Sequence, residues 1–225
     1  MNADQLAERY HRVQAALPSR VKLIAVSKTR SVEEIRALYD LGHRAFGENY
    51  TQELSAKRPA LPADIEWHFI GHLQRSNVKH IVGIAHLIHG VDSEKLLAEL
   101  DKRARTLPRP VDVLLQVHIA EEETKHGFLP DELRTLVQHP GIGNRWPHLR
   151  MRGLMGMATN TGDRTQVAAE FAMLAGLFRE LAASTSFPAG QFSELSMGMT
   201  NDMDLAIGAG STMVRVGTAI FGERD

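Results

Sequence analysis

The chain of 225 residues contains no cysteine. That absence excludes a disulfide framework, a thiol nucleophile and any cysteine-ligated metal. Neither sign of charge dominates: 26 Lys and Arg against 27 Asp and Glu leave a formal net charge of −1. A nucleic-acid binder driven by bulk electrostatics is therefore not expected. No apolar run approaches the ~18 residues that a membrane helix needs. The N-terminus carries Asp4, Glu8 and Arg9 in a helical pattern, where a signal peptide would place a basic region before an apolar core. Aromatic residues make up only 6%, with three tyrosines, Tyr10, Tyr39 and Tyr50. No linker rich in Pro, Gly or Ser divides the chain, so residues 1–225 read as a single soluble, cytoplasmic domain.

What is there is alternation. Apolar runs of β type predict strands at 22–28, 45–49, 66–71, 87–91, 111–119, 149–157, 194–199 and 212–220. Between them lie segments of helical period at about 31–42, 93–105, 131–139, 163–183 and 202–209, after a first helix at 3–17. Ser31-Val32-Glu33-Glu34 has the form of a capping box. Alternating β and α elements imply a parallel sheet, and eight units imply closure as an α/β (β/α)₈ barrel with an extra N-terminal helix. A doubly wound open sheet is the alternative.

Lys28 is the residue that draws most attention. It ends the first strand, where α/β proteins meet their ligands. Parity places it with Ile24 and Val26, and opposite to Leu23 and Ala25. It reads either as a solvated strand-end charge or as a nucleophilic amine able to form a Schiff base. At the other end of the chain, Glu194–Met203 and Arg215–Gly222 close strands with small and hydroxyl residues. Gly198 and Gly217 allow backbone N–H groups to approach an anion, and Ser196 and Thr218 add hydroxyls. Turn and cap roles explain the same residues. An inward Arg215 needs an anion or an acceptor, because a buried unpaired guanidinium is costly.

With these residues in view, the chain resembles the pyridoxal phosphate homeostasis protein family along nearly its whole length. The resemblance is carried by Ala25-Val26-Ser27-Lys28-Thr29, by residues 46–53 and 67–74, and by Leu115-Gln116-Val117 and Lys125-His126-Gly127-Phe128. It continues through Arg152-Gly153-Leu154-Met155, Leu195-Ser196-Met197-Gly198-Met199 and residues 210–222. It implies a barrel like the N-terminal domain of alanine racemase, with pyridoxal 5'-phosphate (PLP) as cofactor. It further implies that Lys28 carries PLP as a Schiff base and that Arg215 faces the pyridine nitrogen. Ser196, Gly217 and Thr218 match the phosphate cradle, and Asn49 matches a residue beside the ring. The chain departs from the family pattern at Ser76-Asn77, where Asn-Lys is usual, and at His118, where Asn is usual.

Other candidates read more plainly. His68 and His72 have the spacing of a zinc helix, but their segment is a strand entering a loop, and no metal site is expected. His86 and His89 read as polar residues flanking a strand, and Glu121-Glu122-Glu123 as a solvated loop. The methionines near strand ends read as packing, and Gly141-Ile142-Gly143 lacks the setting of a dinucleotide fingerprint.

Two functions of different classes remain. One is a carrier that buffers or delivers PLP, taking part in vitamin B6 homeostasis, with apo PLP enzymes as acceptors. The other is a PLP-dependent amino-acid racemase of the alanine racemase type, which needs a second acid/base group facing the lysine. The seven residues after Thr218 leave no room for the second domain of such racemases, and an arginine at the pyridine nitrogen gives a weak electron sink. The carrier, a monomer, is the expectation, with no catalytic residue assigned. Weak side activity toward amino acids is compatible with it. A (β/α)₈ enzyme acting on a phosphorylated metabolite is a third reading.

Overall fold

Eight parallel strands pair in sequence order, and the last returns to the first, closing a barrel. In this computed structural model, residues 3–122, 125–139, 141–184 and 186–223 are described. The strands are β1 (Lys22–Val26), β2 (Ala45–Glu48), β3 (Glu66–Phe69), β4 (Leu87–Val91), β5 (Val111–Val117), β6 (Leu149–Gly156), β7 (Glu194–Met199) and β8 (Met213–Val216). The helices are α1 (Ala3–Ala15), α2 (Val32–Asp40), α3 (Thr51–Lys57), α4 (Glu94–Ala104), α5 (Pro130–Gln138), α6 (Ile142–Arg145), α7 (Arg164–Ala182), α8 (Met203–Ala209) and α9 (Thr218–Phe221). Two 3₁₀ turns, Arg58–Ala60 and Arg75–His80, complete the described elements. No helix among the described residues is long and apolar enough to cross a membrane.

Helix starts follow the sequence signals. Ser31 Oγ accepts from Glu34 N while Glu34 Oε2 accepts from Ser31 N, so the capping box forms. Ser93 caps α4, and Asp163 caps α7 through Thr165 N and Gln166 N. The differences lie at strand exits. The first strand ends at Val26 and not at residue 28, and the last ends at Val216, where α9 replaces the strand expected up to residue 220. The apolar character of Ala219-Ile220-Phe221 reflects packing of α9 against α1 in the large cluster outside the barrel interior, not strand pairing. Both α3 and α6 lie in segments for which no helix was expected.

Two apolar layers confirm the parity. Leu23 and Ala25 belong to the large cluster between barrel and helices. Ile24 belongs to a small interior cluster with Ala45, Leu87, Leu114, Met155 and Met213. The interior is not wholly apolar. His68, His89 and Ser196 are completely buried and Arg215 nearly so, and they form one hydrogen-bonded line across the barrel. Arg215 Nη1 donates to Ser196 Oγ at 2.7 Å, Ser196 Oγ lies 2.9 Å from His89 Nδ1, and His89 Nε2 lies 2.9 Å from His68 Nδ1. His89 thus corrects the expectation of a flanking polar residue: it sits within β4, inside the barrel.

An arginine can only donate, and this sets the direction of the whole line. Ser196 accepts from Arg215 and has its own proton for His89 Nδ1. His89 then carries its proton on Nε2 and donates to His68 Nδ1, which leaves a proton on His68 Nε2. That atom is buried and has no hydrogen-bond partner. The reverse order would strand the serine proton as well, so the first order is preferred. One ring nitrogen each of His68 and His86 and a carboxylate oxygen of Glu66 lie within 4.8 Å of one another at the opening of the barrel's N-terminal end.

Burial pushes His68 and His89 well below the ordinary histidine range, and at His89 the Arg215 cation adds to that effect. Burial also lowers His43 to about 4, against its hydrogen bond with Ala45 O. These three rings are neutral when folded but take up protons near pH 6.5 when unfolded. The stability they carry is therefore complete above about pH 6.5 and is lost as pH falls. Urea unfolding at pH 7, 6 and 5 should show stability dropping by ~1.4 kcal/mol per unit for each ring below pH 6. A flat profile over that range would mean that the rings are not held neutral.

Candidate functional site

The C-terminal ends of β1, β6, β7 and β8, with Lys125 from the loop after β5, surround a cavity of about 450 Å³. Lys28, Arg215, Gly217 and Thr218 line it, although nearly 190 positions separate the first from the others. The β1–β8 pairing brings them together, with Ile24 opposite Arg215 and Ala25 opposite Val216. Lys125, Thr159, Asn160, Arg164, Thr200, Asn201 and Asp202 contribute most of the remaining polar wall.

Lys28 is half-buried and follows β1 by two residues, in a turn that a buried polar network holds. Ser27 Oγ donates to Glu48 Oε1 at 2.6 Å. Lys57 Nζ donates to that same oxygen at 2.9 Å, to Ser27 O at 2.9 Å and to Glu53 Oε2 at 2.7 Å. Glu53 Oε2 also accepts from Thr29 N at 2.8 Å. Thr29 has φ +64°, an unfavourable conformation for a β-branched residue, and this clamp holds it there. Burial raises the Glu48 carboxyl above its ordinary range, and the hydrogen bonds from Ser27 and Lys57 counter that only in part. At Glu53 the balance reverses: burial pushes its carboxyl up, but Lys57 and Thr29 N outweigh it and the value falls.

Arg215 forms the inner end of the cavity. Besides Ser196 Oγ, its guanidinium donates to Ser196 O at 2.8 Å and to Gly156 O at 3.0 Å, using three of five N–H donors. Burial lowers it to about 10, with the Asp202 carboxylate acting in the opposite sense, so it stays a cation at neutral pH.

Ser196 lies elsewhere than the cradle role implies. It is fully buried below Arg215, bonded to His89 and Arg215, and does not line the cavity. Asn49 does not line it either, although its Oδ1 is buried without a hydrogen-bond partner. Tyr50 is 53% exposed outside it. Gly198 has φ +94°, and a Cβ there would meet Ala206 Cβ at 2.5 Å, so packing against α8 accounts for this glycine. Gly217 differs. Its φ is −116° and a Cβ would approach nothing nearer than 3.4 Å, so the folded chain itself does not require glycine on this wall of the cavity.

Lys125, Asn160 and Asp202 were given no site role in the sequence, because only tertiary contacts bring their loops together. Lys125 Nζ donates to Ala158 O at 2.7 Å and pairs with Glu122 at 3.0 Å. Glu122 also accepts from Asn160 N, chiefly for which reason its carboxyl falls to about 2. It therefore joins the loops after β5 and β6 and is more than a solvated charge, while Glu123 lies outside the described residues. Of the departures from the family pattern, Ser76 and Asn77 sit in the 3₁₀ turn, and His118 Nε2 lies 3.1 Å from Glu122 O.

The clamp below Lys28 can be tested directly. Lys57→Met leaves the buried Glu48 without its cation, and should cost ~3–5 kcal/mol of unfolding free energy in urea. Adding Glu48→Gln should recover part of that loss. If the single variant is as stable as the parent chain, the clamp does not hold the turn.

Comparison with known proteins agrees with this geometry. The family model for the alanine racemase N-terminal domain matches residues 1–225. A pyridoxal phosphate homeostasis protein of Pasteurella multocida is 41% identical over 222 residues, covering 96% of this chain and 92% of the relative. The human protein of that name is 40% identical over 214 residues, covering 91% and 77%. The structure of PipY from Synechococcus elongatus PCC7942 with PLP bound is 37% identical, with TM-score 0.86, covering 96% of this chain and all of that one. Alanine racemase of Clostridium difficile, at 14% identity and TM-score 0.77, shares the fold over 98% of this chain and 57% of its own. By its whole-length match and the identity of its relatives, the chain belongs to the pyridoxal phosphate homeostasis protein family, built on the alanine racemase N-terminal barrel.

Proposed function

We propose that this protein binds PLP in the cavity at the C-terminal end of the barrel and serves to hold and pass on the cofactor. The observation that carries this is the convergence of Lys28, Arg215, Gly217 and Thr218 on one cavity, in a chain 37% identical to a protein solved with PLP bound. The residues fit the group. Lys28 offers an amine, Gly217 leaves room where no backbone strain demands glycine, and Thr218 and Thr200 bring hydroxyls within 3.4 Å of each other. PLP supplies an aldehyde that a lysine amine can trap reversibly, together with an aromatic ring able to take up negative charge.

The chain's own residues favour holding over turnover. Arg215, a buried cation fixed by three hydrogen bonds, disfavours a proton on any ring nitrogen set against it. A weak electron sink follows. Among the described residues the cavity is lined by no tyrosine or histidine that could act as a second base. The relatives are named as homeostasis proteins, in keeping with this. Ser196 then acts as the support of Arg215, and Asn49 as a residue whose buried Oδ1 awaits a donor, not as walls of the cavity. Apo PLP enzymes of the cytoplasm are the acceptors in this reading.

Incubation of the purified chain with PLP should give a visible absorbance band that borohydride bleaches and that Lys28→Ala abolishes. Lys125→Ala, the other lysine on the cavity wall, should keep the band. A band lost from the Lys125 variant and kept in the Lys28 variant would reassign the anchor. If neither the parent chain nor the variants develop colour, the cofactor reading fails. Steady racemisation of an amino acid at ordinary enzymatic rates would overturn the carrier role.

A further inference from the structure

Two groups of metal-capable side chains occur among the described residues. The first, Glu66 with His68 and His86, already has an ammonium in place, since Lys22 Nζ donates to Glu66 Oε2 at 2.5 Å. The second is His72, Asp92 and His126, whose ligand atoms lie within 4.8 Å of one another. These three residues come from loops after consecutive strands: His72 beyond β3, Asp92 directly after β4, and His126 in the loop after β5.

The backbone beside each donor is tightly fixed. A Cβ on Gly71 would lie 2.2 Å from Asn49 O, and one on Gly90 would lie 2.4 Å from Gly71 O. Gly127, next to His126, has φ +145°, and a Cβ there would lie 2.4 Å from His118 N. The β5 loop is also tied to its strand, because His126 O accepts from Gln116 Nε2 at 2.8 Å and Phe128 N donates to Gln116 O at 2.8 Å. His72 Nδ1 lies 3.2 Å from Asp92 Oδ2. That is close to the ~3.3 Å expected between two ligands of a tetrahedral zinc ion with bonds near 2.0–2.1 Å. The rings of His72 and His126 stack at 3.9 Å, inclined by 17°. Parallel rings do not aim two nitrogens at one point, so one exposed ring must turn about its broad χ2 torsion to complete the set.

We propose that His72, Asp92 and His126 form a binding site for a divalent transition ion of the zinc class, at the rim of the barrel mouth. Two imidazoles and one carboxylate are a zinc-type donor set, and solvent at this exposed position supplies the remaining ligands. From the sequence alone no metal site is expected. The pair weighed there was His68 and His72, which the fold separates, one inside the barrel and one at its rim. The site does not depend on the reading of the cavity. Ion binding would add one more tie to the β5 loop, which also carries Lys125 to the cavity wall.

The test is calorimetric titration of Zn²⁺ into the full, tag-free chain after treatment with a chelator, with Co²⁺ absorbance as a second readout. One ion should bind per chain. His72→Gln, Asp92→Asn and His126→Gln should each weaken binding by at least about tenfold, and circular dichroism should show each variant folded. His80→Gln, at an exposed histidine outside the group, and Lys28→Ala should bind as the parent chain does. The proposal is overturned if no saturable binding of one ion is seen. It is equally overturned if His72→Gln and His126→Gln together bind Zn²⁺ as tightly as the parent chain.

Discussion

Closure of the barrel through the pairing of β8 with β1 is the constraint on which the rest of this structure depends. It sets Ile24 opposite Arg215 and Ala25 opposite Val216. Lys28 and the Arg215–Thr218 segment thereby become walls of one cavity. Strand pairing alone would leave the amine loosely placed, because β1 ends two residues before it. The buried clamp of Ser27, Glu48, Lys57 and Glu53 supplies the missing precision, and holds Thr29 at a positive φ that the chain would not adopt unaided. Burying Glu48 is costly on its own, so the clamp stands only while Lys57 is present.

The barrel interior works toward the same end from below. A typical barrel core of branched apolar side chains would leave an inward arginine without acceptors. Here two backbone carbonyls and Ser196 receive the guanidinium, and two neutral histidines extend the line across the barrel. Because an arginine only donates, it orients every proton along that line. The guanidinium at the inner end of the cavity is thus held and oriented by residues that do not line it. This is why Ser196 and His89 matter to the site without forming its wall.

Much of the fold was legible in the sequence for a simple reason. Each barrel strand is a short apolar run between helices of clear 3.6-residue period, and Ser31, Ser93 and Asp163 mark helix starts. The exits of the strands were less legible. Ala219-Ile220-Phe221 is apolar enough for a strand, yet packs outside the barrel as a helical turn, and periodicity cannot separate these over so few residues. His89 did leave a signal, a histidine within the apolar run Leu87–Val91, but local pattern does not say that its partner is Ser196, 107 positions away. The pairing of Glu53 with Lys57 is readable at i, i+4 on a helix. The decisive partner Glu48 is not, since it becomes a neighbour only once α3 folds back against β1 and β2.

The sequence by itself determined the order of strands and helices, the parity that sets Ile24 and Leu23 on opposite faces, and the chemical types available at strand ends, while the two apolar clusters decided which face is inside. Those properties follow from local periodicity and from the side chains themselves. Only the tertiary structure decided which of those side chains meet: Lys28 with Arg215 around a cavity, Ser196 beneath it, Asn49 outside it, and His72 beside Asp92 and His126 at the rim. Such meetings depend on closure of the barrel and the paths of its loops, which are set by packing among residues far apart in the chain.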